Sequence, residues 1–228
     1  MIRLILVRHG VTAWNEDGRY QGHSDVPLGE RGQAQASQIG VRLAGEALTA
    51  AYASDLSRSR TTAEIALDGR DVPLFLLPAL RERFFGSWEG LRVDEIKAQD
   101  PDTWDAWTRD PLLTRPPGGE TGVEVLDRVV DCYSSIVGTE PVDQSPDDWF
   151  SYRAAGPMGS SGPQRTLLFV THGGPARALL AHLIGVETRF YWRFGIRPAS
   201  VSILDVYPEG PITEVIGDTS HLREELAR

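Results

Sequence analysis

Two stretches decide the fold: Leu4-Ile-Leu-Val-Arg-His9-Gly10 near the start and Leu167-Leu-Phe-Val-Thr-His172-Gly173 far downstream. Each is an unbroken apolar run that ends in His-Gly. A run without alternation marks a strand covered on both faces, as in a parallel sheet with helices above and below. Ligands of such sheets bind outside the carboxyl ends of the strands, where the topology switches. If the two strands are central neighbours, His9 and His172 face each other across that crevice. The glycine after each histidine suits a chain that turns sharply and approaches a ligand closely.

Working outward, Ala50–Ala53 reads as a further buried strand. Ser200–Tyr207 and Ile212–Ile216 flank Pro208-Glu-Gly-Pro211 and predict an antiparallel hairpin near the C-terminus. Helical patterns lie between the strands. Leu28–Ala47 carries Ile39 and Leu43 on one face, and Asp55 is the expected N-cap of a helix running through Ala66. Thr121-Gly-Val-Glu124 is a capping box, followed by Leu126, Val129, Val130, Tyr133, Ile136 and Val137 at spacings of 3 and 4. Gly174-Pro175 opens another helix, which Gly185 closes. The expected fold is a three-layer α/β/α sandwich with a mostly parallel central sheet and an antiparallel strand near the C-terminus. The 228 residues suit a single domain, residues 1–228, with an irregular Pro/Gly/Ser-rich insertion at about residues 138–164. Trp149, Phe150 and Tyr152 in that insertion leave a lid, an interface or a plain surface loop all open.

Composition narrows the function. Lys+Arg 23 against Asp+Glu 32 gives a net charge of −9, which disfavours a nucleic-acid surface and non-specific membrane adhesion. The first apolar run is too short for a signal-peptide core, and no run approaches a membrane span. The single Cys132 excludes an internal disulfide framework and a multi-cysteine zinc site. The expected molecule is a soluble, cytoplasmic, acidic globule.

The charged residues near the two histidines point to an anion. Arg8 adjoins His9, and Arg58 falls in the first turn of its helix, where a cation opposes the helix dipole. A bound anion would turn that arrangement into a matched one, because a guanidinium fork fits phosphate. The Gly173-Gly-Pro175 helix start adds free N–H groups that favour an anion too. Two His, two Arg and a helix N-terminus therefore describe a site for a tetrahedral oxyanion. Cleavage of a phosphate ester also needs a proton for the leaving oxygen. Glu82 and Glu89, in Leu80-Arg-Glu82-Arg-Phe-Phe-Gly86-Ser-Trp-Glu89-Gly90, are both candidates, and charge alone does not choose between them.

The ordered set of motifs resembles the histidine phosphatase superfamily, in its phosphoglycerate-mutase-like branch. The resemblance rests on Leu6-Val-Arg-His-Gly-Val-Thr12, Trp14-Asn15, Arg19, Gln21-Gly22 and Asp25-Val-Pro-Leu28. It continues through Ser54-Asp-Leu-Ser-Arg58, Thr62-Ala63, Glu82…Gly86…Trp88-Glu-Gly90, Pro116-Pro-Gly-Gly-Glu120 and Val170-Thr-His-Gly-Gly174. It implies that His9 is the nucleophile and forms a phosphohistidine, and that Arg8, Arg58 and His172 hold the phosphoryl oxygens. It implies Glu82 as proton donor, phosphate or substrate contacts from Asn15, Gln21, Gly22 and Gly173, and no metal, with arginines and an imidazolium doing the neutralising. A homodimer is common among members of the family.

Two readings of the chemistry stand beside each other, hydrolysis and a cofactor-dependent phosphoglycerate mutase. Mutases of this branch carry a longer basic segment ahead of the Pro-Pro stretch, whereas Asp94–Pro116 here is short and acidic. Arg83 beside Glu82 is mutase-like; Phe84-Phe85 and Trp88-Glu-Gly90 are phosphatase-like. Pro116-Pro-Gly-Gly-Glu120 is similar to α-ribazole phosphatases and to broad-specificity monoesterases. A catalytically silent binding protein is the third class, disfavoured because every matched catalytic position is filled. Hydrolysis of a small phosphate ester is the favoured expectation, with the ester itself unnamed. His23 is a candidate specificity contact, Trp88 and Trp104 are candidate borders of a leaving-group pocket, and His182 and His221 are expected to be structural and solvated respectively.

Overall fold

The computed structural model describes residues 1–138, 163–208 and 210–227. Six strands form one sheet: β1 (Ile2–Arg8), β2 (Ala50–Ala53), β3 (Leu74–Leu76), β4 (Arg165–Thr171), β5 (Val201–Tyr207) and β6 (Gly210–Asp218). Their order is β3-β2-β4-β1-β5-β6. The pairs β2–β3, β2–β4 and β1–β4 are parallel, and β1–β5 and β5–β6 are antiparallel. The two histidine-bearing strands are thus central neighbours. Arg8 pairs with Thr171, so β1 and β4 end level and His9 and His172 leave the sheet together.

The unbroken apolar runs are explained by what lies on either side. Leu4, Leu6, Leu167 and Phe169 face a core made with Val125, Val129, Tyr133 and Val137 of one helix and Leu179, Leu180 and Leu183 of another. Ile5, Val7, Leu168 and Val170 face the opposite core, with Ile39, Leu43, Ala63 and Ala66. The helices are α1 (Ala13–Glu16), α2 (Glu30–Arg42), α3 (Ser57–Ala66), α4 (Val93–Gln99), α5 (Pro101–Arg109), α6 (Gly122–Val137), α7 (Gly173–Ile184) and α8 (Glu224–Ala227). α2 and α3 cover one face, α6 and α7 the other. Leu4–Val7 and Thr166–Thr171 are buried throughout, which is why no polar alternation survives in these two stretches.

Helix ends follow local chemistry, with one correction. Thr121 caps α6 through the expected box with Glu124, and Gly185 closes α7 at φ 74°, in the left-handed region that favours glycine. Asp55, in contrast, does not cap α3. Its carboxylate takes the Arg81 guanidinium (Nε–Oδ1 2.7 Å), and the first N–H of the helix, from Ser57, donates instead to Asp25 at 2.7 Å. A residue thirty positions away does the capping that the adjacent aspartate was expected to do. The stretch 139–162 lies outside the described residues, so the reading of the 138–164 insertion is not carried further. His182 is exposed at the end of α7, and His221 is half-buried rather than solvated.

Candidate active site

The site forms where β1, β2 and β4 end on the same edge of the sheet. His9 follows β1, and its N–H donates to the Thr171 carbonyl at 2.9 Å. His172 follows β4 as the N-cap of α7. Their rings lie 4.9 Å apart at an interplanar angle of 62°. Arg58 enters from the first turn of α3 and Arg8 from the last residue of β1. A cavity of about 220 Å³ is lined by Arg8, His9, Asn15, Gln21, Gly22, Arg58 and Glu82, together with Gly18, Arg19, Tyr20 and Phe85. His172 and Gly173 are buried and lie outside that lining set.

The tautomer of His9 follows from one contact. Its Nδ1 lies 2.6 Å from the Gly10 carbonyl, which can only accept, so Nδ1 carries the proton and Nε2 keeps its lone pair. Burial, and then the Arg58 and Arg8 charges, hold the His9 ring well below the usual histidine pKa of 6.5. Burial, Arg58, His9 and Arg8 do the same to His172. Both rings are neutral at pH 7. Two nearby guanidinium groups and a dry setting disfavour a third positive charge on either ring.

Arg58 is anchored by its Nη atoms to the carbonyls of Ser24 (2.9 Å) and Gly22 (2.6 Å), and Arg8 by Nη1 to Ile196 (2.8 Å). These bonds aim the forks yet leave Arg8 Nε, Arg58 Nε and both ring nitrogens of His172 buried without a hydrogen-bond partner. Buried polar atoms are almost always paired, and each orphan costs about 1–3 kcal/mol. Four of them belong to residues around His9, a setting that suits a polar, negatively charged guest. Asn15 spends its Oδ1 on the Thr12 N–H (3.1 Å), which leaves its NH₂ donors to offer. Gln21 accepts from the Thr12 hydroxyl at 2.9 Å.

The two candidate carboxylates separate cleanly. Glu89 accepts from the N–H groups of His23 (2.8 Å), Ser24 (2.8 Å) and Phe85 (3.1 Å) and from the Ser24 hydroxyl (2.6 Å). It braces the loop whose carbonyls hold Arg58. Glu82 lines the cavity, held by the N–H groups of Arg83 (2.9 Å) and Gly174 (3.1 and 3.2 Å). The α7 N-terminus expected to serve a ligand is thus used, through Gly174, to hold Glu82. Gly10 is also reassigned: a Cβ there would stand 2.5 Å from the Gly32 carbonyl, so its close approach is to α2 and not to a ligand.

Other expectations shift by one layer. Trp88 and Trp104 are buried with Trp107 behind Tyr20, and it is Tyr20 that reaches the cavity. His23 donates through Nε2 to the Glu82 carbonyl at 2.9 Å and lies against Phe84. Arg83, the mutase-like residue, is buried and gives its donors to the carbonyls of Glu120 (2.8 Å), Pro111 (2.6 Å) and Thr114 (2.6 Å). Sequence reasoning missed Tyr20 and Phe85. Phe85 lies within the Leu80–Gly90 stretch and Tyr20 between Arg19 and Gln21, where an aromatic residue was the available signal.

The sequence profile of the histidine phosphatase superfamily (branch 1) matches residues 4–144 and 153–219. The chain belongs to this superfamily. The adenosylcobalamin/alpha-ribazole phosphatase of Salmonella typhimurium is 32% identical over 90% of this chain and 91% of its own length. Phosphoserine phosphatase 1 of Hydrogenobacter thermophilus is 29% identical over 98% of this chain and 96% of its own. GpmB proteins are among the relatives as well, that of Cronobacter sakazakii at 31% over 97% of this chain and 95% of its own. Among solved structures, Bacillus stearothermophilus YhfR superposes with a TM-score of 0.81 at 33% identity, covering 97% of this chain and 99% of that one. In this member of the superfamily, motif residues from Arg8 to Glu82 line one cavity, and the His172 ring stands 4.9 Å from that of His9. Among the described residues, no helix is long and apolar enough to cross a membrane.

Proposed function

We propose that the protein is a metal-independent phosphomonoesterase that hydrolyses a small phosphorylated metabolite through a phosphohistidine on His9. The observation that carries this reading is the set of unpartnered buried nitrogens of Arg8, Arg58 and His172 around the free lone pair of His9 Nε2. A phosphoryl group supplies oxygens for the guanidinium donors and for the one N–H of neutral His172, with the Asn15 amide as a further donor. His9 Nε2 attacks phosphorus in line with the ester oxygen, and the P–O bond breaks as Glu82 gives its proton to the departing alkoxide. Glu82, now a carboxylate, takes a proton from water as that water attacks phosphorus. The P–N bond breaks, and inorganic phosphate and neutral His9 are released. The two guanidinium groups and His172 meet the charge that spreads over the equatorial oxygens in both steps.

Hydrolysis is favoured over phosphoryl return by the fate of Arg83. Its donors are committed to the carbonyls of residues 111–120, so it is not free to grip a substrate carboxylate. The acidic α4–α5 segment packs its tryptophans behind Tyr20 and offers the cavity no cation of its own. The relatives' names extend the candidate esters to phosphoserine and α-ribazole phosphate. The test is a phosphate-release panel in EDTA, with H9A as control. It includes an aryl phosphate, α-ribazole phosphate, phosphoserine, sugar phosphates and 3-phosphoglycerate, the last also assayed for isomerisation with 2,3-bisphosphoglycerate. Release that depends on His9 is the expected result. Isomerisation without release would make the protein a mutase.

A further inference from the structure

Glu82 does not sit on a strand or a regular helix. It follows a short turn, Pro78–Leu80, and the chain around it has no ladder of its own to fix it. His23 reaches its carbonyl and two N–H groups hold its carboxylate, and the chain on either side is gripped by a side chain from α6. Arg128 donates to the carbonyls of Ala79 (2.8 Å), Arg81 (2.8 Å) and Glu82 (2.9 Å), three of the four peptide oxygens from 79 to 82. Its remaining donors form a two-point pair with Glu120, Nε–Oε1 at 3.0 Å and Nη2–Oε2 at 2.9 Å. Glu120 completes the ring by accepting the Phe84 N–H at 2.8 Å, while its own N–H donates to the Phe84 carbonyl at 2.8 Å. The backbone is therefore gripped on both sides of the residue that points into the cavity.

We propose that the Arg128–Glu120 pair is the positioning device for the proton donor Glu82, so that its integrity sets how well the leaving oxygen is protonated. The inference rests on the reading of Glu82 as the acid. A planar fork suits this duty because it serves several fixed acceptors at once, which a flexible ammonium cannot. Arg128 lies one position from the apolar stripe of Val125 and Val129, anchored by the same packing that holds α6 to the sheet. Displacement of a catalytic group by about 1 Å can cost on the order of 10²-fold in rate. The Arg8–Arg58–His9 cradle is held by strand ends and by the carbonyls of Gly22, Ser24 and Ile196, none of them a partner of Arg128.

The experiment compares two esters on each preparation, 4-nitrophenyl phosphate and a primary alkyl phosphate. The first has a leaving group that needs little protonation; the second needs the acid. The variants are R128K, E120Q, E82Q and the double variant R128K/E82Q. Because the readout is a ratio of kcat/KM values on one preparation, a lower fraction of folded protein cancels. R128K is expected to lower the alkyl ester about 10–100-fold and the aryl ester less than about threefold, with E120Q shifting the ratio in the same direction by less. In the double variant R128K should add no selectivity beyond E82Q, because it acts through that residue. If R128K and E120Q lower both esters equally while E82Q still discriminates, the positioning role is overturned and the acid survives. If E82Q does not discriminate, the acid reading fails and the positioning role fails with it.

Discussion

The anion cradle and the acid arm meet at the same cavity and are built in opposite ways. Arg8, His9 and His172 issue from or directly follow two parallel strands in register, and Arg58 opens a helix packed on the same sheet. Their placement is a by-product of the hydrophobic core. Glu82 belongs to an arm off the sheet, where position is dictated by the side chains of Arg128, Glu120 and His23 and by the main-chain N–H of Gly174. A site divided in this way should fail in two distinguishable ways. Damage to the cradle removes phosphoryl transfer for every ester, and damage to the arm removes it in proportion to how badly the leaving group needs a proton.

The largest effect is expected in the cradle. H9A should lower turnover on all esters by on the order of 10⁵-fold or more, since it removes the attacking nitrogen of the proposed mechanism. Circular dichroism should show the fold retained, and wild-type-like activity in the purified variant would break the comparison at its strongest point. E82Q comes next, with a loss of about 10²–10⁴-fold on alkyl esters and a much smaller one on aryl esters. Equal losses on both would mean the arm does not deliver a proton.

A pH profile sharpens the contrast. Burial and the neighbouring arginines hold His9 and His172 well below 6.5 in the folded protein. On an aryl ester, which leans little on Glu82, kcat/KM should show no fall with an apparent pKa near 6.5. A histidine-like acid limb there would contradict the neutral, dry cradle. Stability should carry the same signature. The unfolded chain protonates these histidines near pH 6.5 and the folded one does not, so stability is fully present above about 6.5 and declines as pH falls below it. A urea midpoint that rises from pH 7.5 to 5.5 would oppose this.

The smallest expected effect belongs to the carboxylate that only braces. E89Q replaces an acceptor oxygen by an NH₂ group facing N–H donors from His23, Ser24 or Phe85. It should cost about 1–3 kcal/mol of stability and leave the alkyl-to-aryl ratio within about threefold of wild type. A ratio shifted as far as that of E82Q would erase the distinction between the two glutamates.

The same contrast explains what the sequence made legible. Leu4–His9 and Leu167–His172 announce both the sheet and the site, because burial on two faces writes itself into consecutive residues. The Thr121 capping box and Gly185 are local signals and read correctly. What escaped depends on contacts across the chain. Asp25 caps α3 from about thirty residues away, while the adjacent Asp55 serves Arg81. Glu89 and Glu82 look alike in sequence and differ only in which donors fold around them. Arg128 is one more cation on a helix until the carbonyls of residues 79–82 arrive beside it.

The central claim is that His9, through Nε2, carries the phosphoryl group. It is tested most directly by rapid quench of the enzyme with ester in EDTA, followed by peptide mass spectrometry and ³¹P NMR of the trapped intermediate. The account predicts one phosphate on His9, on Nε2, because the Nδ1 proton is held by the Gly10 carbonyl at 2.6 Å. Phosphate on His172, phosphate on Nδ1 of His9, or turnover with no phosphoenzyme at any quench time would contradict it.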